Sequence, residues 1–412
     1  MIKMGGLRYP RSAASGFLSR WCAASVGAAL LASCAAHQER RPDEVITRNF
    51  AAKGYVSAEH DAVTTGQYAW TFAGRDVNVV LSAPRRSGLA PVLVYLPGLG
   101  ESSQAGEQWR TAWSSAGYAV LSVQALSEDA SAWSSDLARD GDFKLLGRQR
   151  FSGKVMNDRV EMLAVVLAEA QHRAAAGESP WQGLDWDRIA IAGFDLGAYA
   201  AMAVAGEHVP DAESVAGRFP LRAAIALSPF ASSVGESFDT RYSDIRAPVL
   251  SVTSASDEDV LGLVDGAYLR DVPFKHLAGP DKYLLFLQGV HHAELSGGVE
   301  AKSPKTDSDQ GKRSADSAKR SGGDSSSQHR KGGRRADTGG NGNLERGRTD
   351  GGQGVTAESL SATGSELRLI ATRAVSTAFL DAYVKDDPMA REWLNAGAAG
   401  WLGTTGDLRQ RQ

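Results

Sequence analysis

The stretch Ile189–Met202, IAIAGFDLGAYAAM, has the spacing to display one carboxylate on a sharp turn. Its first four residues are apolar and read as a buried parallel strand. Gly193 and Gly197 stand two residues either side of Asp195, where a tight strand-to-helix turn needs them. This is the spacing of a nucleophile elbow, G-x-S-x-G, whose central side chain stands above a sheet while the next backbone N–H forms half of an oxyanion hole. Aspartate takes the place of serine. A serine must give a proton to a base before it attacks, whereas a carboxylate with a pKa near ~4 is already charged at neutral pH. Attack by such a group on saturated carbon gives an ester intermediate; attack on an ordinary ester gives a less stable mixed anhydride.

A second glycine run, Pro97-Gly98-Leu99-Gly100-Glu101, follows the apolar run Pro91–Leu96 and offers backbone N–H donors. It lacks the third glycine and the lysine of a phosphate-binding loop, and His291 and His292 are adjacent rather than at ligand spacing. Neither cofactor nor metal is expected.

The elements that would position these groups follow from pattern. Tyr68, Trp70 and Phe72 alternate with small residues and Val77–Leu81 is β-rich, as at an antiparallel edge. Pro91–Leu96, Tyr118–Val123, Ala223–Ser228, Pro248–Thr253 and Tyr283–Leu287 read as further strands. Helical patterns fall at Glu107–Ala116, after Asn157 as a cap, around Val260–Leu269, at Glu366–Val384 and after Pro388. Ala198, Ala200, Ala201, Ala203 and Ala205 keep the helix behind the elbow slim. Alternating strands and helices predict an α/β fold, a mostly parallel doubly wound sheet with helices on both faces. Residues 125–150, with Trp133 and Phe143, read as an excursion over the carboxyl edge of the sheet.

The order of these motifs resembles the α/β-hydrolase superfamily, most closely its dienelactone hydrolase and platelet-activating-factor acetylhydrolase group, over roughly Ala69–Leu295 plus the terminal helix. The resemblance implies a hydrolase of the esterase type acting on small apolar substrates. It implies Leu99 and Leu196 N–H as oxyanion donors, with Pro97 where the family has histidine. The family's acid falls on Asp257, four residues past its strand, with Asp259 and Glu258 as rivals and helix capping as their other use. The family's histidine falls on His292 of Gly289-Val290-His291-His292, with His291 its neighbour. Asp195, Asp257, His292 is then the family's chain order. Haloalkane dehalogenases place tryptophan where this chain has Leu196, and the tyrosine donors of epoxide openers find no counterpart. Two readings follow: a hydrolase with Asp195 as nucleophile or as a base aligning water, or a catalytically silent binding lipoprotein that kept the pocket and lost the serine.

Residues 1–33 read as an export signal, with Lys3, Arg8, Arg11 and Arg20 ahead of the apolar run Trp21–Leu31. Leu31-Ala32-Ser33-Cys34 resembles a bacterial lipobox, which implies lipidation at Cys34 and, with Ala35 next, the periplasmic face of the outer membrane. An ordinary signal peptide cut at a small residue is the other reading. Either way Cys22 is removed and the mature chain holds no cysteine pair. A tether is expected at 34–66, the hydrolase domain at 67–296, a disordered low-complexity insertion at 297–359, and helices completing the domain at 360–412. With a net charge of -3 and no basic patch on the folded part, the expected partners are a small-molecule substrate and the membrane, not nucleic acid.

Overall fold

The computed structural model describes residues 42–214, 217–231, 236–259, 261–264, 266–298 and 357–411. They build one nine-stranded mixed sheet: β1 (Val63–Phe72), β2 (Arg75–Pro84), β3 (Ala90–Leu96), β4 (Ala119–Ala125), β5 (Leu184–Phe194), β6 (Leu221–Leu227), β7 (Val249–Ser254), β8 (Lys282–Leu287) and β9 (Gly406–Arg411). Its order is β1-β2-β4-β3-β5-β6-β7-β8-β9. The six central strands run parallel, β1 and β2 join antiparallel at one edge, and β9 joins antiparallel at the other.

Burial explains why these runs are strands. All seven residues of β3 are buried, as a central parallel strand covered on both faces requires. Val92, Val94 and Leu96 join the core under the helices Gly153–Ala175 and Leu196–Ala205, whereas Leu93 and Tyr95 join the core under Glu107–Ser115 and Ala357–Val384. The period of two divides every inner strand between two helical layers.

Strand order reverses between β3 and β5, since β4 lies outside β3 and β6 outside β5. Loops from the carboxyl ends of β3 and β5 therefore leave in opposite directions and open a crevice there. The elbow turn sits at this point. Register pairs Leu96 with Gly193, and the helix after the turn comes so close that a Cβ on Gly197 would lie 1.9 Å from the Leu96 carbonyl oxygen. One on Gly193 would lie 2.2 Å from the backbone of Gly197.

Several elements differ from the pattern reading. The expected tether contains the helix Pro42–Lys53, and β1 starts within it at Val63. That helix packs on the terminal helix and stacks Phe50 on Trp401 at 4.3 Å. Asp381 of the terminal helix accepts hydrogen bonds from Tyr55 (2.8 Å), Ser57 (2.7 Å) and Tyr118 (2.8 Å), while Lys385 bridges Asp381 and Glu59. The helix expected to start at Asn157 begins at Gly153, and the Asn157 side chain instead accepts from Glu213 N–H. No helix covers Val260–Leu269 among the described residues. Asp259 binds the N–H groups of Leu261, Leu263 and Val264 in a loop, Gly262 has φ 64°, and short helical turns start only at Ala267 and Val272. The terminal helix starts at Ala357, and β9 was not foreseen. The signal segment, Cys34 and most of the low-complexity insertion lie outside the described residues. No helix among the described residues is long and apolar enough to cross a membrane.

Gly197→Ala is expected to cost about 3 kcal/mol or more, because the clash is with fixed backbone on both sides. Gly183→Ala, which meets nothing within 4 Å, is expected to stay within about 0.5 kcal/mol of the parent. Urea unfolding of the two variants checks the contrast.

Candidate active site

Asp195 ends β5 with φ 52° and ψ -115°, a conformation costing a residue with a Cβ on the order of 1–3 kcal/mol. The turn is held by its N–H donating to Leu227 O at 3.1 Å and by Tyr199 N–H donating to its carbonyl at 3.0 Å. Asp195 as a whole is 7 % exposed. Oδ2 accepts from Leu99 N–H at 3.4 Å, and Oδ1 lies 3.8 Å from His292 Nε2. Leu196 opens the following helix, so its N–H is among the first-turn amides that have no acceptor within the helix.

His292 comes from the loop after β8, at the start of a 3-10 turn, and Phe194 lies against its ring at 4.9 Å. Its Nδ1 is 2.9 Å from Asp257 Oδ1. Asp257 is completely buried and receives Thr253 Oγ1 on Oδ2 at 2.7 Å. Burial pushes its carboxyl upward, but the His292 hydrogen bond, the charges of Arg270 and His292, and the Thr253 hydroxyl outweigh it and hold the group below the usual aspartate value. The structure thus brings Asp195, His292 and Asp257 together. Of the rivals, Asp259 binds loop amides, and the exposed His291 caps the 3-10 turn while its N–H donates to Glu294 at 3.0 Å. Glu258 is exposed.

Side chains from elsewhere shape the Pro97–Glu101 loop. Gln124 Nε2 donates to the carbonyls of Gly98 (3.0 Å), Glu101 (2.9 Å) and Glu128 (3.1 Å), and Gly100 N–H donates to Glu128 O at 2.8 Å. Arg159, paired with Glu128 at 2.7 Å, donates to Pro97 O and to Gln124 Oε1. Gly98 must lack a Cβ, which would press on Phe194 at 2.9 Å and on the Asp195 Cβ at 3.3 Å. Trp133 covers Gly100 from the excursion, and the helix Phe143–Arg150 of the same excursion presses Gly147 on Leu263. The excursion therefore roofs the crevice, although it forms short helical turns rather than irregular chain.

Three groups were not singled out by pattern. Ser228, with φ 54° at the end of β6, places Oγ 2.8 Å from both Asp257 Oδ1 and His292 Nδ1. Arg270, wholly buried, reaches the same pair. Glu101 Oε2 accepts from Gly98 N–H at 2.8 Å. Burial pushes the Glu101 carboxyl up; the Gly98 bond and the nearby His292 oppose this, Asp195 adds to it, and the group ends at about 7. The available signals were the placement of Ser228-Pro229 at the end of an apolar strand run and of Glu101 at the close of the glycine run after Leu96. Arg270 carried none. No protein-family model and no curated protein matches the chain.

Glu101 holds a proton in the fold between its unfolded value of 4.5 and about 7, where the unfolded chain has released it. Folding stability therefore falls as pH rises through that window, by on the order of 3 kcal/mol from this group. Glu207, buried and pushed up to about 8, adds a loss of the same sign. Thermal or urea unfolding of the parent and Glu101→Gln at about pH 5 and about pH 8 should show the variant losing less.

Proposed function

We propose that the chain has the α/β-hydrolase fold and is a hydrolase whose nucleophile is Asp195, acting on a saturated carbon that bears a leaving group. The observation that carries this reading is the division of one carboxylate between two partners, Oδ2 at Leu99 N–H and Oδ1 beside His292 Nε2. Attack through Oδ1 breaks the bond to the leaving group and forms an alkyl ester on Asp195. The ester's carbonyl oxygen is then Oδ2, already on Leu99 N–H. Water that gives a proton to His292 Nε2 adds to the Asp195 Cγ, and negative charge grows on Oδ2 where Leu99 and Leu196 N–H stabilise it. Collapse expels the alcohol, which takes the proton back from His292, and the acid left on Asp195 gives its proton to solvent, which restores the carboxylate and the neutral imidazole. Asp257 orients the ring through Nδ1 and stabilises the imidazolium that forms. An acyl ester is the poorer substrate, because Oδ2 fills the place its own oxyanion would need.

The same resemblance supports an enzyme that takes small apolar substrates and works without a cofactor. The lipobox-like Leu31–Cys34 supports export and a lipid anchor at Cys34, with the domain held at the cell envelope.

Single turnover in heavy-oxygen water is the test. With haloalkane, epoxide and acyl ester panels, the expected result is heavy oxygen in the peptide holding Asp195. His292→Gln should accumulate an ester on that residue visible by mass spectrometry, and Asp195→Ala should lose on the order of 10³-fold or more in rate. No turnover by the parent, with esterase activity appearing in Asp195→Ser, would instead favour the silent binding protein.

A further inference from the structure

An aspartate at the elbow brings a standing negative charge that a serine does not. The charged groups facing His292 are Asp195 from the elbow at 3.8 Å and Asp257 from the loop after β7 at 2.9 Å, while Glu101 of the Pro97–Glu101 loop holds its proton up to about pH 7. Arg270 joins them from the 3-10 turn Ala267–Asp271. Among the described residues the other groups in contact with the ring are neutral, the Ser228 hydroxyl and the Phe194 ring. Glu294, two residues on, is turned toward Arg368. Two carboxylates thus flank one imidazole, with one guanidinium beside the Asp257 side of the ring. Without the guanidinium, the cheapest neutralisation is a proton on the imidazole, which leaves Nε2 no lone pair to take a proton from water.

The position of Arg270 suits the counter-charge role. Its Nε lies 3.8 Å from Asp257 Oδ1 and one terminal nitrogen 3.5 Å from His292 Nδ1. Its remaining contacts are carbonyls, Ser228 O at 3.2 Å, Pro229 O at 3.3 Å and Asp257 O at 3.4 Å, which fix the head group without matching it to a carboxylate of its own. A fork–fork pair with one acid would confine the charge to that acid; this placement leaves it acting on the whole cluster. A guanidinium 3.5 Å from the ring also disfavours a second cation there, and Ser228, donating to Asp257 Oδ1 at 2.8 Å, takes up part of that oxygen's capacity.

We infer that Arg270 is a positioning residue for charge: it is the resident counter-cation beside the Asp257–His292 pair, and so keeps His292 uncharged and able to act as a base. The inference rests on the hydrolase reading for its purpose, but its electrostatic content is measurable without turnover.

The experiment follows the ring signals of His292 by NMR against pH, assigned with His292→Gln, in the parent, Arg270→Gln and Arg270→Lys. In Arg270→Gln the pH at which those signals shift is expected to rise by about one to three units, and any pH–activity profile to move with it. Arg270→Lys is expected to keep the parent's behaviour. Unmoved signals in folded Arg270→Gln overturn the inference, whatever happens to activity. Moved signals in a protein that turns over no substrate uphold it and count against the hydrolase reading instead. If Arg270→Gln does not fold, Arg270→Lys decides: a parent-like titration supports the charge role, and one displaced by more than about one unit refutes it.

Discussion

Two absent side chains govern the geometry of this domain. Because Gly193 and Gly197 have no Cβ, the helix after the elbow can lean on the carbonyls of Leu96 and Pro97, where a single extra carbon would meet backbone at about 2 Å. That closeness brings the loops after the neighbouring strands β3 and β5 face to face. It sets Leu99 N–H over the Asp195 carboxylate and fixes where the loops from β6, β7 and β8 must deliver Ser228, Asp257 and His292. The backbone strain at Asp195 and Ser228 is tolerable only because the surroundings leave no relaxed alternative.

The Pro97–Glu101 loop owes its shape to residues outside itself. Gln124 takes three carbonyls at once, and Arg159 and Glu128 form a buried ion pair that also holds Gln124 and Pro97. Buried polar groups of this kind stabilise little by themselves. Connected, they specify one arrangement, since any other leaves charges unpaired.

What the sequence displays and what it hides divide along physical lines. The central strands were legible because strands covered on both faces are continuous apolar runs, as in Pro91–Leu96. Asp195 was legible because the glycines that permit its turn flank it. Asp257 and His292 were placed by resemblance, and their loops do converge. β9, GDLRQR, was hidden because an edge strand paired only to β8 has no apolar period to show. The helix Pro42–Lys53 was hidden because its contacts lie on a helix some three hundred residues away. The expected helix at Val260–Leu269 fails on Gly262, Gly266 and the preference of the Asp259 carboxylate for loop amides. Arg270 and Ser228 belong to the site through distance alone.

The Asp381 cluster has a temporal meaning. Tyr55 and Glu59 precede their partners Asp381 and Lys385 by 326 residues, so they leave the ribosome long before anything can receive them. At ~5–20 residues per second the delay is on the order of tens of seconds. Throughout it, Trp113 lacks the Ser376 hydroxyl it donates to and β8 lacks its outer partner. Asp195, Asp257 and His292 have by then all been made. The nascent chain therefore carries Asp195, Asp257 and His292 while one face of its sheet still lacks the helix Ala357–Val384, and the residues that follow convert a wet, open layer into a closed one.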